Sequence, residues 1–500
     1  MLMLAATSFF PAEIDQNLVL ESFLPSSSSA PAMDSRAGSF NPHKHLKEEF
    51  VSNLTGSSML EIAALSTVVP VIVLLRHSLG SRSPSDLSHK DASSKNNHDS
   101  LVSPKSWRAY MVTLTMDYLC IIVPMLLSFT VLSEWTYLST ILLTFSLFLS
   151  AAIKRFYSSL PSRVAPDSLR TDISLYRVCM MIVTCLCILA VDFRIFPRRY
   201  AKTETFGTGL MDLGVGSFVV ANALVSRQAR NISSVNLMTA LRNTSPLIAL
   251  GFGRLVSTAG VDYQVHVGEY GVHWNFFFTL AAVSLLTSLI NISPKNCGIL
   301  GFSILIGYQS CLMQGLNSYL ISSERGSSII SQNKEGIFSI FGYWGMYLVG
   351  VQLGNYLFFG SETSATKKGT EWARRRVWIV ALLFWLLTII LDRHVERVSR
   401  RMCNLAYVTL VLAQNFQVLA ILMLSDYVGG NKSTVLEDAF NRNLLGSFLL
   451  ANVLTGVVNL FFETLFASAL TSLAILLLYA YVLSVITGTL EFYGIRLKFW

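Results

Sequence analysis

The stretch from Val191 to Gly216, VDFRIFPRRYAKTETFGTGLMDLGVG, gathers groups able to do chemistry: an acid closing an apolar run, a Pro-containing turn, three Arg, a Lys, a Glu and a Gly-rich restart. Asp192 and Lys202 are ten residues apart, which on a straight helix is ~15 Å. Pro197 lacks the amide proton a helix interior needs, so it breaks the helix and folds Lys202 back toward Asp192. A buried carboxylate with a raised pKa serves as a general base toward an alcohol, and a neighbouring ammonium holds either that carboxylate or a developing oxyanion. The plainer reading of the same pair is a salt bridge capping two helices. Arg198 and Arg199 suit phosphate, and they suit a headgroup-contacting belt equally well.

Other ionisable or polar groups stand at the edges of apolar runs, where each is a functional candidate because hydrocarbon penalises charge. Glu61, Asp192, Asp212, Arg254 and His273 are all expected at the same side of the bilayer and together point to a polar cavity there. Asp117, inside an apolar run, is the exception. In EYGVHWNFFF, His273 and Asn275 flank Trp274, a residue type that more often anchors a helix at the interface than it binds substrate. In NKEGIFS, Glu335 can bind a sugar hydroxyl, although capping the following helix is the simpler role. VSRRMCNL supplies Arg400, and ANVLTGVVN places Asn452, Thr455 and Asn459 on one helical face that should meet neighbouring helices.

The elements that must position these groups follow from composition. Of 500 residues, 52% are hydrophobic and 14% charged, against about 25% charged in soluble domains. A soluble protein is excluded. The net charge of +8 fits basic cytosolic loops better than a nucleic-acid surface. Apolar runs long enough to cross ~30 Å of hydrocarbon as helix recur along the chain, and we count thirteen, from Ser58–Leu75 to Thr464–Thr487. The expected fold is therefore all-α, a polytopic membrane protein of about thirteen transmembrane helices. The distribution of Lys and Arg among the loops puts the N-terminus in the lumen and the C-terminus in the cytosol. Residues 1–47, Ser/Pro/Ala-rich, read as a disordered tail, residues 48–500 as one transmembrane domain, and 78–107 as a disordered cytosolic loop. The seven cysteines lack a CxxC pair and read as packing residues, and no metal site or cofactor is expected.

The run LAVDFRIFPRRYAKTETFGTGLMDLGVGSFV, with EYGVHWNFFFTL, NKEGIFSIFGY, VSRRMCNLAY and LLANVLTGVVNL following in the same order, resembles the GPI-anchor inositol acyltransferases, the PIG-W family. The resemblance extends from about Lys44 to the terminal KFW. It implies a multi-pass endoplasmic-reticulum enzyme that transfers a fatty acyl group, usually palmitoyl, from acyl-CoA to the inositol 2-hydroxyl of glucosaminyl-phosphatidylinositol. Acyl-CoA is then a co-substrate, membrane lipid the surroundings, and neither nucleic acid nor an obligate protein partner is expected. The family's catalytic Asp and Lys match Asp192 and Lys202, which are assigned as general base and charge stabiliser. Arg198, Arg199, Asp212, His273, Asn275, Glu335, Arg400 and Asn452 are placed around the inositol, glucosamine and phosphate groups. Arg194 stands where the family commonly has Pro, which bears on how tight the turn after Asp192 is.

Two other classes compete. A secondary transporter of a lipid or small solute also needs many helices and buried charge, but its site belongs near the membrane midplane. A lumenal lipid-linked glycosyltransferase needs acidic metal ligands, and Asp262, Glu269 and Glu335 lack a ligand spacing. Within acyl transfer, His273 is the alternative base.

Overall fold

The computed structural model describes residues 46, 49–50, 52–80, 106–157, 168–232, 237–259, 267–290, 292–359, 370–428 and 433–497. The expected tail over 1–47 and loop over 78–107 fall outside these, apart from Leu46 and the short stretches 78–80 and 106–107. Asp262 also lies outside the described residues.

Each of the thirteen expected spans has a helix: α1 Met59–Leu79, α2 Trp107–Phe129, α3 Thr136–Tyr157, α4 Ser168–Ala190, α5 Leu213–Leu224, α6 Leu237–Ala259, α7 Phe276–Ile290, α8 Pro294–Ile321, α9 Lys334–Phe359, α10 Thr370–His394, α11 Leu405–Leu422, α12 Leu444–Phe461 and α13 Ala469–Phe492. Among the described residues, β pairing is confined to isolated bridges of Gly56 and Ser57 with Thr208. Ten of the helices are long and apolar enough to cross a membrane. The remaining three are informative. With 12 and 15 residues, α5 and α7 reach only ~18 and ~22 Å at 1.5 Å per residue. The 23-residue α6 is long enough, but Arg242, Asn243, Thr244 and Ser245 interrupt its apolar surface. Short helices leave backbone ends within the thickness of the bundle, where polar side chains must satisfy them. The charged residues of the 191–216 segment and of Glu269 to Asn275 sit at those ends.

At the centre is α11, in which every residue from Ala406 to Leu422 except Gln417 is buried. A helix apolar on all sides has no face to offer water and is driven to the middle of a bundle. It packs against α10, α1, α5 and α4. The contact with α5 needs a glycine: a Cβ at Gly216 would lie 2.7 Å from Val411 Cγ1. By contrast α3 turns Ile141, Phe145, Phe148 and Leu149 outward, an apolar stripe suited to lipid. Asp117, fully buried in α2, pairs at 2.6 Å with Arg76 of α1 and accepts from the Leu436 amide. Beside it His77 contacts Glu437 at 2.9 Å. The intramembrane acid that stood apart in the sequence thus joins α1 to α2 and to the helix Val435–Arg442.

Candidate active site

The end of α4 shows how the sequence shapes the site. After Ala190 the chain leaves the helix, turns through 191–197, and makes a single 3-10 turn at Arg198–Tyr200. Arg198 fastens this turn from inside, donating Nη2 to the carbonyls of Val191 (2.8 Å), Phe196 (3.0 Å) and Phe193 (3.2 Å). Burial pulls its guanidinium down to about 10, with the Asp192 charge opposing. Arg194, at the position where Pro is the commoner residue, is exposed and lies over the Phe466 ring. Arg199 reaches the other way, to Glu61 of α1 (2.9 Å) and Glu134 (2.8 Å). Glu61 also accepts from Tyr200 Oη at 2.8 Å and from Ser57. Both arginines therefore shape the turn and tie it to α1.

The consequence is that Asp192 and Lys202 line one cavity of about 220 Å³. Asp192 Oδ2 accepts from Asn459 Nδ2 at 2.8 Å, so α12 holds the carboxylate. Lys202, whose side chain is 39% exposed, donates to Glu269 Oε1 at 2.7 Å. Glu269 in turn accepts from Arg400 Nη1 at 3.2 Å, and Arg400 Nε donates to Asp212 Oδ1 at 2.9 Å. Asp212 is closed off by the amides of Thr203 (3.0 Å) and Gly209 (2.8 Å) and by Thr203 Oγ1 (2.9 Å). Burial pushes the Asp212 carboxyl up, while Arg400 and these donors work against it. For Glu269, burial also raises the carboxyl, but Lys202 and Arg400 outweigh it and hold it at about 2. Arg400 is raised by the same two carboxylates in spite of its burial. The row Lys202, Glu269, Arg400, Asp212 thus alternates in sign and fixes Lys202 at the cavity edge.

Away from the charges the wall is apolar. Met180, Val183 and Ile188 of α4, Phe218 of α5, Phe276 of α7 and Phe448 of α12 line it. Arg254 and Tyr270 join Asp192, Lys202 and Glu269 on the polar part.

The other candidate residues distribute as follows. Asn452 lines the cavity and donates to Phe448 O at 2.7 Å. Asn275 is buried and caps α7, accepting from Phe277 N at 3.0 Å, while its Nδ2 donates to Gly251 O at 3.0 Å. His273 is exposed and does not line the cavity; its backbone amide donates to Asn333 Oδ1 at 2.7 Å. Glu335, fully buried, accepts from Arg325 at 2.7 Å and from Arg401 at 2.9 Å. That triad binds the start of α9 to the loop before α11, and it stands apart from the cavity lining. Two positioning groups were not picked out from the sequence. Asn459 was visible only as one of three polar residues on a helix face, and Glu269 only as an acid without ligand spacing. Nothing local announces that these two face Asp192 and Lys202, since each contact spans 67 residues or more.

The GWT1 family model matches residues 43–490. The chain is 57% identical over 433 residues to an uncharacterised protein of Arabidopsis thaliana, covering 86% of this chain and 98% of that one. It is 35% identical to GPI-anchored wall transfer protein 1 of Aspergillus fumigatus, over 89% of this chain and 96% of the relative. To the glucosaminyl-phosphatidylinositol-acyltransferase PIGW of Mus musculus it is 32% identical, over 91% and 99%.

Proposed function

Since the chain belongs to the GWT1 family, we propose that it transfers a fatty acyl group, palmitoyl above all, from acyl-CoA to the inositol 2-hydroxyl of glucosaminyl-phosphatidylinositol, an early step of GPI-anchor assembly. It would do so in the endoplasmic-reticulum membrane with the reacting groups toward the lumen. The observation that carries the reading is that one cavity has a carboxylate and an ammonium on its wall and an apolar lining beyond them. A long acyl chain needs the second and an alcohol nucleophile the first.

In the proposed mechanism Asp192 accepts the proton of the inositol hydroxyl as its oxygen attacks the thioester carbonyl. Asn459 keeps the carboxylate aimed, and Lys202 balances the charge that develops on the carbonyl oxygen. When the tetrahedral intermediate collapses, the C–S bond breaks, an ester forms, and the CoA thiolate recovers the proton from Asp192. Transfer is direct and needs no acyl-enzyme. Glu269 stays a carboxylate throughout, which keeps the Lys202 ammonium in place.

The test is to incubate purified protein with labelled acyl-CoA and glucosaminyl-phosphatidylinositol and to treat the product with phosphatidylinositol-specific phospholipase C. That lipase uses the inositol 2-hydroxyl to break the phosphodiester, so acylation there makes the labelled product resistant. A labelled product that the lipase still cleaves removes the assignment of the acceptor hydroxyl. Solute movement across sealed vesicles without any acyl product would instead favour a transporter.

A further inference from the structure

Near the middle of α4, nine residues in from its start at Ser168, stands Arg177. Arg177, Met180, Thr184, Ile188 and Val191 recur at spacings of three and four and so share one face of the helix, and the last four line the cavity. Arg177 extends that stripe by one turn. On the other wall α5 begins at the charged end, where Leu213, Val215 and Phe218 line the cavity, and runs away from it. The turn that follows is pinned by Gln228 Nε2 to Ile292 O at 2.6 Å and by Asn355 Nδ2 to Ala229 O at 2.9 Å. It carries Arg230, exposed, with its guanidinium over the Phe359 ring at 5.7 Å. Because α4 and α5 pack against each other, the turn after α5 is carried past the middle of α4, and the two like charges come near enough to act on one another. Among the described residues neither guanidinium has a carboxylate or other acceptor.

Two neighbouring guanidiniums, one of them half-buried, repel each other and stay under-solvated until an anion joins them. Their planar donor sets match the oxygens of carboxylate and phosphate, and a phosphate has the oxygens and charge to serve both guanidiniums at once. We propose that Arg177 and Arg230 form a phosphate-binding site at the far end of the cavity, and that it takes the phosphorylated half of the acyl donor. This rests on the acyl-transfer reading. Thirteen residues separate Arg177 from the end of α4 at Ala190, ~20 Å along the helix, and Asp192 stands just beyond that end. A donor held at one end by its phosphates must present its thioester at the other through a long, thin linker, which the pantetheine arm of CoA supplies. The headgroup phosphate of a membrane lipid has the same chemistry and is the competing source.

The experiment uses the full chain in nanodiscs, comparing wild type with Arg177→Gln, Arg230→Gln and the double variant. Equilibrium binding of CoA without an acyl group is measured beside acyl-transfer kinetics. Loss of a charged hydrogen bond should weaken CoA binding and raise the KM for acyl-CoA about tenfold or more in the double variant. The kcat and the KM for glucosaminyl-phosphatidylinositol should not move, and Arg230→Lys should recover part of the loss. Because Arg230 is on an exposed turn, its variant tests the site even where Arg177→Gln fails to fold. Unchanged CoA affinity in Arg230→Gln overturns the proposal. So does a variant whose only change is a lost dependence on anionic lipid in the nanodisc, which assigns the arginines to headgroups. A wild type that binds CoA through these arginines but transfers no acyl group sustains the site and overturns the acyl-transfer reading alone.

Discussion

At the scale of single residues, the site rests on two groups that are each held by a partner from elsewhere in the chain. Asp192→Asn keeps shape and removes the proposed base, so inositol acylation should fall by at least ~100-fold while the protein still inserts; the labelled-product assay reads this. Asn459→Ala should retain the base but loosen its aim, lowering kcat by about tenfold with little change in KM. Glu269→Gln removes the carboxylate from between Lys202 and Arg400, and both cations then repel across a neutral amide. The Glu269 carboxyl lies well below its ordinary value of 4.5, at about 2. Its stabilising contribution is therefore complete above about pH 4.5 and is lost as the pH falls toward 2. Thermal unfolding measured down the acid range should show that loss in wild type, and Glu269→Gln should flatten it.

At the scale of elements, the same residue types serve packing as readily as chemistry, and burial with partners tells them apart. Glu335 is enclosed by Arg325 and Arg401. Glu335→Ala takes the carboxylate from the buried Arg401 and the partly buried Arg325, a loss of ~3–5 kcal/mol. Its expected effect is a lower Tm and less folded protein, with the KM of the surviving fraction unchanged. A changed KM without a change in Tm would return Glu335 to substrate binding. The α5 helix shows the opposite case. Gly216 is pressed against Val411, whereas Gly214 lines the cavity and an added Cβ there meets nothing within 4 Å. Gly214→Ala should stabilise the helix by ~0.5–1 kcal/mol. Gly214→Leu should fill part of the cavity and shift acyl-chain preference toward shorter donors, measured by comparing acyl-CoAs of graded length.

At the scale of the whole molecule, α4, α5 and α12, with residues of α1, α6, α7 and the central α11, line a pocket inside the bundle. Asp192 and Lys202 lie beyond the C-terminal end of α4, while Arg177 stands about halfway along that helix and Arg230 on the turn after α5. From the basic-residue bias among the loops, the N-terminus is expected in the lumen and the C-terminus in the cytosol. A glycosylation acceptor appended to the N-terminus should accordingly be modified in cells and one appended to the C-terminus should not. The reverse pattern would turn the site toward the cytosol.

What the sequence determined by itself was the membrane environment, the helical class and the approximate position of each helix, because each depends on runs of neighbouring residues and on a fixed rise per residue. It also singled out Asp192 and Lys202, since acid, proline and lysine fall within one short segment. Tertiary structure alone decided the partners. The acid of Asp192 meets an amide 267 residues away and the ammonium of Lys202 meets a carboxylate 67 residues away, and no local pattern encodes either approach. It likewise decided that Glu335, Arg198 and Arg199 hold the bundle and its turn together. Whether a buried charge meets a counter-charge or faces an open cavity depends on which helices pack side by side, and that is set by the close fit of surfaces distant in the chain.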